Sequence, residues 1–155
     1  MVYPQNIEQK IDFQVIRDCL KAFCTSSLGK ERVDEMSWQN HYNTVNELLV
    51  YLREMINILS DNSLSFPQGD IYDLREALSR IRIEGLFMDE AELFQLRKML
   101  DYAAQLERFF LTLDHTKYPI LSSPQANNQS PIANTLISSI DRIIDRYGKM
   151  RDNAS

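Results

Sequence analysis

The chain has 155 residues, of which 44% are hydrophobic and 25% charged, values typical of one soluble folded domain with a real core. Its formal net charge of −5 argues against a basic nucleic-acid clamp but allows a local basic patch. Charged residues interrupt the start of the chain, so it has no apolar segment of a signal peptide. No apolar run reaches the roughly 20 residues that cross a bilayer. We therefore expect a cytoplasmic protein without membrane association, whose Cys19 and Cys24 are free thiols.

Few glycines and prolines, four and five respectively, favour helices. Asp12 is a predicted N-cap, and Ile16, Cys19, Leu20 and Phe23 then follow at helical spacing. The segment "TSSLG" should end this helix. A short second helix is predicted over 30–36.

Ser37 is the predicted cap of a third, long helix that reaches to about Ser60. The break "SDNSLSFPQGD" follows, and "DIYDLREALSRIRIEG" predicts a fourth helix that stops at Gly85. The apolar stripe of the third helix, expected to face the core, consists of Val45, Leu48, Leu49, Leu52, Ile56 and Leu59. The corresponding stripe of the fourth consists of Ile71, Leu74, Leu78 and Ile81.

Asp89 and Glu92 form a capping box that starts the longest helix, which runs to about Leu113. Residues 114–130 are rich in proline and asparagine and lack an apolar period, so they predict a long flexible loop. Ser130 and Pro131 restart a helix as N-cap and N1. The face of that last helix should hold Leu136, Ile140, Ile143, Ile144 and Tyr147, with Gly148 as the residue after its end. The sequence thus predicts an all-α bundle of five or six helices, two of them long and lever-like, in a single domain over 1–155 without a significant sheet.

Known catalytic patterns fit this sequence poorly. The segment "CTSSLGKE" resembles a phosphate-binding loop, but Cys24 replaces its first glycine and Glu31 its Ser/Thr, where a carboxylate would repel phosphate. Neither His41 nor His115 follows a glutamate at the spacing of di-iron bundles. A Ser/His/Asp site, which assembles in space, stays open with little in its favour. We predict no catalytic, cofactor-binding or metal-binding residue in the chain.

Two groups of basic residues are candidates for weak nucleic-acid contact. The first is Arg75, Arg80 and Arg82; the second is Arg142 and Arg146, with Lys149 and Arg151 nearby. Interleaved carboxylates weaken both signals, and cations near a helix C-terminus also have a purely structural role. Trp38 and the Phe109/Phe110 pair are expected in the core rather than as stacking platforms.

Four segments in register resemble the second bacterial class of MutS proteins. They are "YPQNIEQKIDFQVIRDCL", "TSSLGKERV", "DIYDLREALSRIRIEGLFMDEAELFQLRKML" and "DRYGKMRDNAS". The last is similar to a turn of the family with Gly148 and Asp152 in its pattern. Glu84 departs from a frequent Gly-Gly, and the 114–131 loop is long for the family.

The resemblance implies a helical core and lever region, structural and mechanical rather than catalytic. It implies a longer chain past Ser155, with a clamp, an ATPase that uses ATP and magnesium, and often a nuclease-type domain. The implied partners are the rest of the chain and, for a homodimeric full protein, branched DNA or ribosomes, in recombination control or ribosome rescue. Two alternatives stay open: a free-standing helical interaction protein and a small helical enzyme.

If only part of a larger core is present, some apolar helix faces lack their cover. We expect these near Leu113 and on the helix with Leu136, Ile140, Ile143 and Ile144. The chain should then self-associate through its 131–147 helix.

Overall fold

The computed structural model describes residues 6–122 and 131–151. Within these ranges the chain forms helices and no strand, with one isolated antiparallel bridge between Ile144 and Met150. The all-α prediction is confirmed. The helices are α1 (Ile7–Lys10), α2 (Phe13–Phe23), α3 (Ser27–Asp34), α4 (Tyr42–Ser60), α5 (Arg75–Arg80), α6 (Glu90–Leu111) and α7 (Pro131–Ile143).

The chain divides into two compact units. The first contains the described part of Met1–Trp38 together with Ile71–Asp73; the second contains Gln39–Asp70 and the described part of Leu74–Ser155. The expectation of one helical domain stays a prediction.

In the first unit, α2 packs against α1 and α3. Arg17 of α2 donates to the Glu8 carboxylate at 3.0 Å and to the Met36 carbonyl at 2.9 Å. Its guanidinium also lies 4.8 Å from the centre of the Phe13 ring. A polar face of α2 therefore holds this unit together, while Val15, Ile16 and Phe23 are exposed.

The core of the second unit forms where α4 meets the segment after α6. Ile58, Leu113, Tyr118 and Leu121 are buried together. Phe66, Phe109 and Phe110 pack beside them edge to face, with ring centres 5.4 to 6.4 Å apart. The expected core position of Phe109 and Phe110 is confirmed, whereas Trp38 is 64% exposed.

A buried carboxylate attaches the segment after α6 to α4. Glu54 is 4% exposed, and its two oxygens accept from the backbone N–H groups of Ile120 (3.1 Å) and Leu121 (2.9 Å). Residues 114–122 of the predicted loop form turns and contribute Tyr118, Leu121 and Ser122 to the interior. The flexibility of the loop stays a prediction. The other half of the predicted loop, 123–130, lies outside the described residues, and so does the cap residue Ser130.

Several helix starts follow from capping. The capping box of α6 is confirmed: Asp89 Oδ1 accepts from Glu92 N–H (2.8 Å), and Glu92 Oε2 accepts from Asp89 N–H (3.0 Å). Ser26 Oγ accepts from Gly29 N–H at 3.1 Å, so α3 begins three residues earlier than predicted. Asp12 does precede α2, but in a left-handed conformation (φ 52°) without a side-chain cap.

Two other boundaries differ from the prediction. The helix expected after Ser37 begins at Tyr42, and no side chain caps it. The helix expected to reach Gly85 is limited to Arg75–Arg80, where only Ala77 is buried. A single buried residue gives little packing energy to extend a helix.

The predicted apolar stripe of α4 faces away from the core, although it was expected to face the core. Glu54 and Ile58 face the interior, while Leu48, Leu49, Leu52, Ile56 and Leu59 are all more than half exposed. The periodicity correctly assigned these residues to one face. The interior contacts, however, come from the face that carries the buried glutamate.

The expectation of uncovered apolar residues on α7 and at the end of α6 is confirmed for Leu136 and Ile143, which are 43% and 37% exposed, and is wrong for three other residues. Leu113 and Ile140 are both 5% exposed and Ile144 is 1% exposed, so these residues belong to the core. In addition, α7 ends at Ile143 instead of reaching Tyr147. A turn after this end allows Ile144 to pair with Met150.

Candidate nucleic-acid interface

The turn after α7 is organised by the carboxylate of Asp145. Its Oδ1 accepts from the backbone N–H groups of Tyr147 (2.8 Å) and Lys149 (2.9 Å). Backbone bonds from Asp145 to Lys149 and from Gly148 to Asp145 close the turn at 2.8 and 3.0 Å. The hydrogen bond from Lys149 N–H, helped by that from Tyr147 and by the charges of Arg151 and Lys149, lowers the pKa of Asp145.

Gly148 fits this turn for two reasons. Its φ is +82°, a conformation that glycine adopts without strain. In addition, a Cβ at this position would lie 2.7 Å from Cγ of Phe94 on α6. The turn can therefore pack closely against α6 only with glycine here.

An arginine–aspartate pair joins α6 to α7 beside this turn. Arg97 donates to the two Asp141 oxygens through Nε (3.0 Å) and Nη2 (3.4 Å), and the hydrogen bond to Asp141 raises the pKa of Arg97. Arg151 Nε donates to the Ile144 carbonyl at 3.1 Å. These groups border a cleft of about 280 Å³ lined by Phe94, Arg97, Asp141, Ile144, Asp145, Arg146 and Arg151.

The cleft brings three arginines and two aspartates together, so its charge is largely balanced. Of the five predicted arginines only Arg146 lines it. Arg146 is exposed, and its guanidinium lies 4.7 Å from the centre of the Tyr147 ring. Arg142 is exposed on α7 and has no ion pair among the described residues. Sequence reasoning missed Arg97, whose position inside a long apolar-striped helix gave no signal.

The first arginine group plays a more structural part. Arg80 forms an ion pair with Glu92, the same carboxylate that completes the capping box of α6. Arg75 and Arg82 are exposed at and just beyond the ends of α5. Arg80 therefore anchors α5 to the start of α6, and its charge is largely neutralised.

The one serine–histidine contact of the described residues is structural. Ser122 Oγ lies 2.8 Å from His115 Nδ1, but the hydroxyl donates its proton to the Tyr118 carbonyl. The imidazole nitrogen must then act as donor to Oγ, so it cannot serve as the base that activates this serine. Ser122 is also 1% exposed, and Asp114 accepts from Thr116 instead of the histidine.

The part of the chain that the structure describes has no cluster of three or more His, Cys, Asp or Glu side chains suited to a metal ion. None of its helices has both the length and the apolar character that a membrane span requires. In "CTSSLGKE", the Gly29 N–H donates to Ser26 Oγ at the start of α3, whereas a phosphate loop directs its amides to the ligand.

Comparison with known proteins identifies relatives of one kind. Six curated proteins match the chain. Endonuclease MutS2 of Geobacillus sp. is 27% identical over 147 residues, and endonuclease MutS2 of Ruminiclostridium cellulolyticum is 30% identical over 149 residues. Both alignments cover 94% of this chain. Endonuclease MutS2 of Halalkalibacterium halodurans is 25% identical over 154 residues, 97% of this chain.

The chain spans about a fifth of the length of these relatives, 18% or 19% of each. No family profile matches the chain, and no solved structure matches it.

Proposed function

Because the chain is MutS2-like over 94% or more of its length, we propose that it is the N-terminal helical core and lever module of a type 2 MutS ATPase. In this role it is structural and mechanical. The ATP, the magnesium and any nuclease chemistry belong to other domains of the full protein, which acts on DNA in repair or recombination control. Long helices suit a lever: α6 has 22 residues and is about 33 Å long.

The observation that carries the proposal is the similarity along almost the whole chain, together with the Asp145–Gly148 turn. That turn falls in "DRYGKMRDNAS", one of the four resembling segments. It has a definite physical basis, since a carboxylate caps it and a glycine permits contact with α6. A turn that fixes the end of α7 to α6 is suited to transmit movement between helices.

The reading frame downstream of Ser155 tests the proposal most directly. We expect further helices and then a Gly-x-x-x-x-Gly-Lys-Ser phosphate loop. A stop codon directly after Ser155 would contradict it. Magnesium-dependent ATP hydrolysis by the 155-residue chain, retained through repurification, would contradict the assignment of ATP chemistry to other domains.

We also propose that this module makes only a weak contact with nucleic acid. Arg142 and Arg146 are exposed and near each other in sequence at the end of α7, and guanidinium groups suit phosphate. Asp141 and Asp145 lie next to them in the sequence. The arrangement supports an auxiliary contact to a phosphate backbone, of DNA or of ribosomal RNA, rather than a sequence-reading surface.

A second candidate is a free-standing helical interaction module. The exposed apolar faces of α2 and α4 favour it, because large exposed apolar patches mark interaction sites. The same reading frame separates the two candidates. A chain that ends at Ser155 and binds a protein through these faces would support the interaction module.

A further inference from the structure

α4 carries an apolar seam with the spacing of a helix–helix interface. Val45, Leu49, Leu52, Ile56 and Leu59 are separated by four, three, four and three residues. This alternation is the a/d pattern of a heptad repeat, which aligns one helix with another. Leu49 and Leu52 are each 55% exposed, Ile56 is 53% and Leu59 is 61% exposed, and Val45 is half-buried.

The seam faces away from the core of its own unit. Glu54 and Ile58 are buried, and in the heptad Glu54 occupies the f position, which is opposite the a/d seam. The contacts of Glu54 with Ile120 and Leu121 fix the rotation of α4 about its axis. The helix is thus held from one side and presents its most apolar side outward.

We propose that a second copy of this chain packs on the seam, with the two α4 helices parallel and in register. In that arrangement each of the five seam residues meets its own counterpart. Antiparallel a–d pairing would align at most four of the five in either register. Leucine at the d positions 52 and 59 with isoleucine at the a position 56 is the pattern that favours two strands, whereas Val45 at d and Leu49 at a do not follow it.

The residues that flank the seam fit this pairing. The e and g positions hold Asn46, Leu48, Arg53, Met55 and Ser60. Only Arg53 is charged, and parallel pairing places it beside Leu48 of the second copy, where its methylene stem can cover apolar surface. No like-charged side chains oppose each other across the interface.

The size of the interface predicts a weak dimer. The exposed seam and its flanks on two copies amount to on the order of 1,000 Å², the lower limit of specific interfaces. Interfaces of this size belong to weak or transient complexes. This dimer does not depend on the proposed function.

Sedimentation of the whole chain at about 1 to 300 µM tests the proposal. The weight-average mass should rise from that of one 18.1 kDa chain towards twice this value. Leu52→Glu and Ile56→Glu should each weaken association at least 10-fold. The matched controls Ile16→Glu on α2 and Leu136→Glu on α7 replace other exposed aliphatic residues and should leave it unchanged. Circular dichroism checks that each variant is folded.

Cross-linking gives a readout that does not depend on the folding of a charged variant. In a Cys19→Ser, Cys24→Ser background, Leu59→Cys should form a disulfide with itself in parallel pairing, because the two Cα atoms come within disulfide range. A chain that stays monomeric at every concentration overturns the proposal. Association that Leu136→Glu abolishes and Leu52→Glu does not, or a Leu59→Cys variant that fails to cross-link in a sedimenting dimer, also overturns it.

Discussion

At the residue scale, a comparison of Gly148 with Gly85 distinguishes two reasons why a position requires glycine: a positive φ and a lack of space for a Cβ. Both have positive φ, +82° and +85°. A Cβ at Gly148 would meet the Phe94 ring at 2.7 Å, whereas a Cβ at Gly85 would have no atom within 4 Å. Gly85→Ala therefore adds backbone strain alone, while Gly148→Ala adds strain and a steric clash.

We expect Gly85→Ala to lower the free energy of unfolding by about 1 kcal/mol. Gly148→Ala should lower it by about 2–4 kcal/mol, the sum of strain and overpacking. Urea unfolding of the two variants beside the unaltered chain measures both values. Equal losses would show that the Phe94 ring can move away from the added Cβ without a loss of stability. A further Phe94→Ala change should then bring the additional cost of Gly148→Ala close to that of Gly85→Ala.

Asp145 gives a pH-dependent test of the same turn. Its pKa is lowered, mainly by the hydrogen bond from Lys149 N–H. A lowered pKa in the folded state means that the ionised carboxylate stabilises the fold. That contribution is complete above the unfolded pKa of about 3.9 and is lost as the pH falls through the lower folded value.

Asp145→Asn keeps an acceptor oxygen and removes the charge. The difference in urea midpoint between the unaltered chain and this variant should be largest above about pH 5 and shrink as the pH falls below about 3.9. Asp61 and Asp114 also have lowered pKa values, through hydrogen bonds from Ser63 and Thr116. They are present in both proteins, so their effects cancel in the difference. A difference that is independent of pH would exclude an electrostatic role for Asp145.

At the element scale, Glu54 decides how α4 is oriented. A carboxylate that is 4% exposed and accepts two backbone N–H groups is a charge-assisted contact in a poorly solvated place. Its removal leaves the amides of Ile120 and Leu121 without their partner. Glu47, an exposed residue of the same helix that lies two turns before Glu54, offers a matched comparison.

Glu54→Ala should lower the free energy of unfolding by about 2–4 kcal/mol, because two buried donors lose their acceptor. Glu54→Gln retains one acceptor oxygen and should cost about half as much. Glu47→Ala should change stability by less than about 0.5 kcal/mol. Chemical denaturation measures all three. Hydrogen exchange at the Ile120 and Leu121 amides checks the cause, since these two should lose protection in Glu54→Ala and keep it in Glu47→Ala.

The sequence predicted a helix correctly where a capping residue and the apolar periodicity indicated the same segment. Asp89 and Glu92 correctly placed the start of α6, and the stripe from Leu48 to Leu59 correctly predicted α4. Periodicity states which residues share a face but not which face meets the core. The face of α4 that meets the core is the one with Glu54, a residue type that is usually exposed. Glu54 accepts hydrogen bonds from the backbone N–H groups of Ile120 and Leu121, which lie 66 and 67 residues later in the sequence. A long separation in sequence also concealed the role of Arg97, whose partner Asp141 follows 44 residues later.

At the scale of the whole molecule, charge limits what the chain does with nucleic acid. The net charge is −5, and the arginines of the cleft beside α7 lie among Asp141 and Asp145. Glu92 pairs with Arg80 and Asp141 with Arg97. Positive charge available to a phosphate backbone therefore remains chiefly at exposed side chains such as Arg142 and Arg146.

We expect the chain to bind branched DNA with a Kd above about 1 µM at physiological salt, in the range of non-specific binding. At low salt, where binding is measurable, the Arg142→Gln, Arg146→Gln double variant should reduce the slope of log K against log salt by about 0.9 for each phosphate that it no longer neutralises. Arg82→Gln, which removes an exposed arginine from the other group, is the control and should leave the slope unchanged. A fluorescence anisotropy titration over several salt concentrations provides these slopes. Submicromolar, salt-resistant binding would contradict an auxiliary role. A slope that is reduced only by Arg82→Gln would show that the phosphate contact lies at the end of α5 instead.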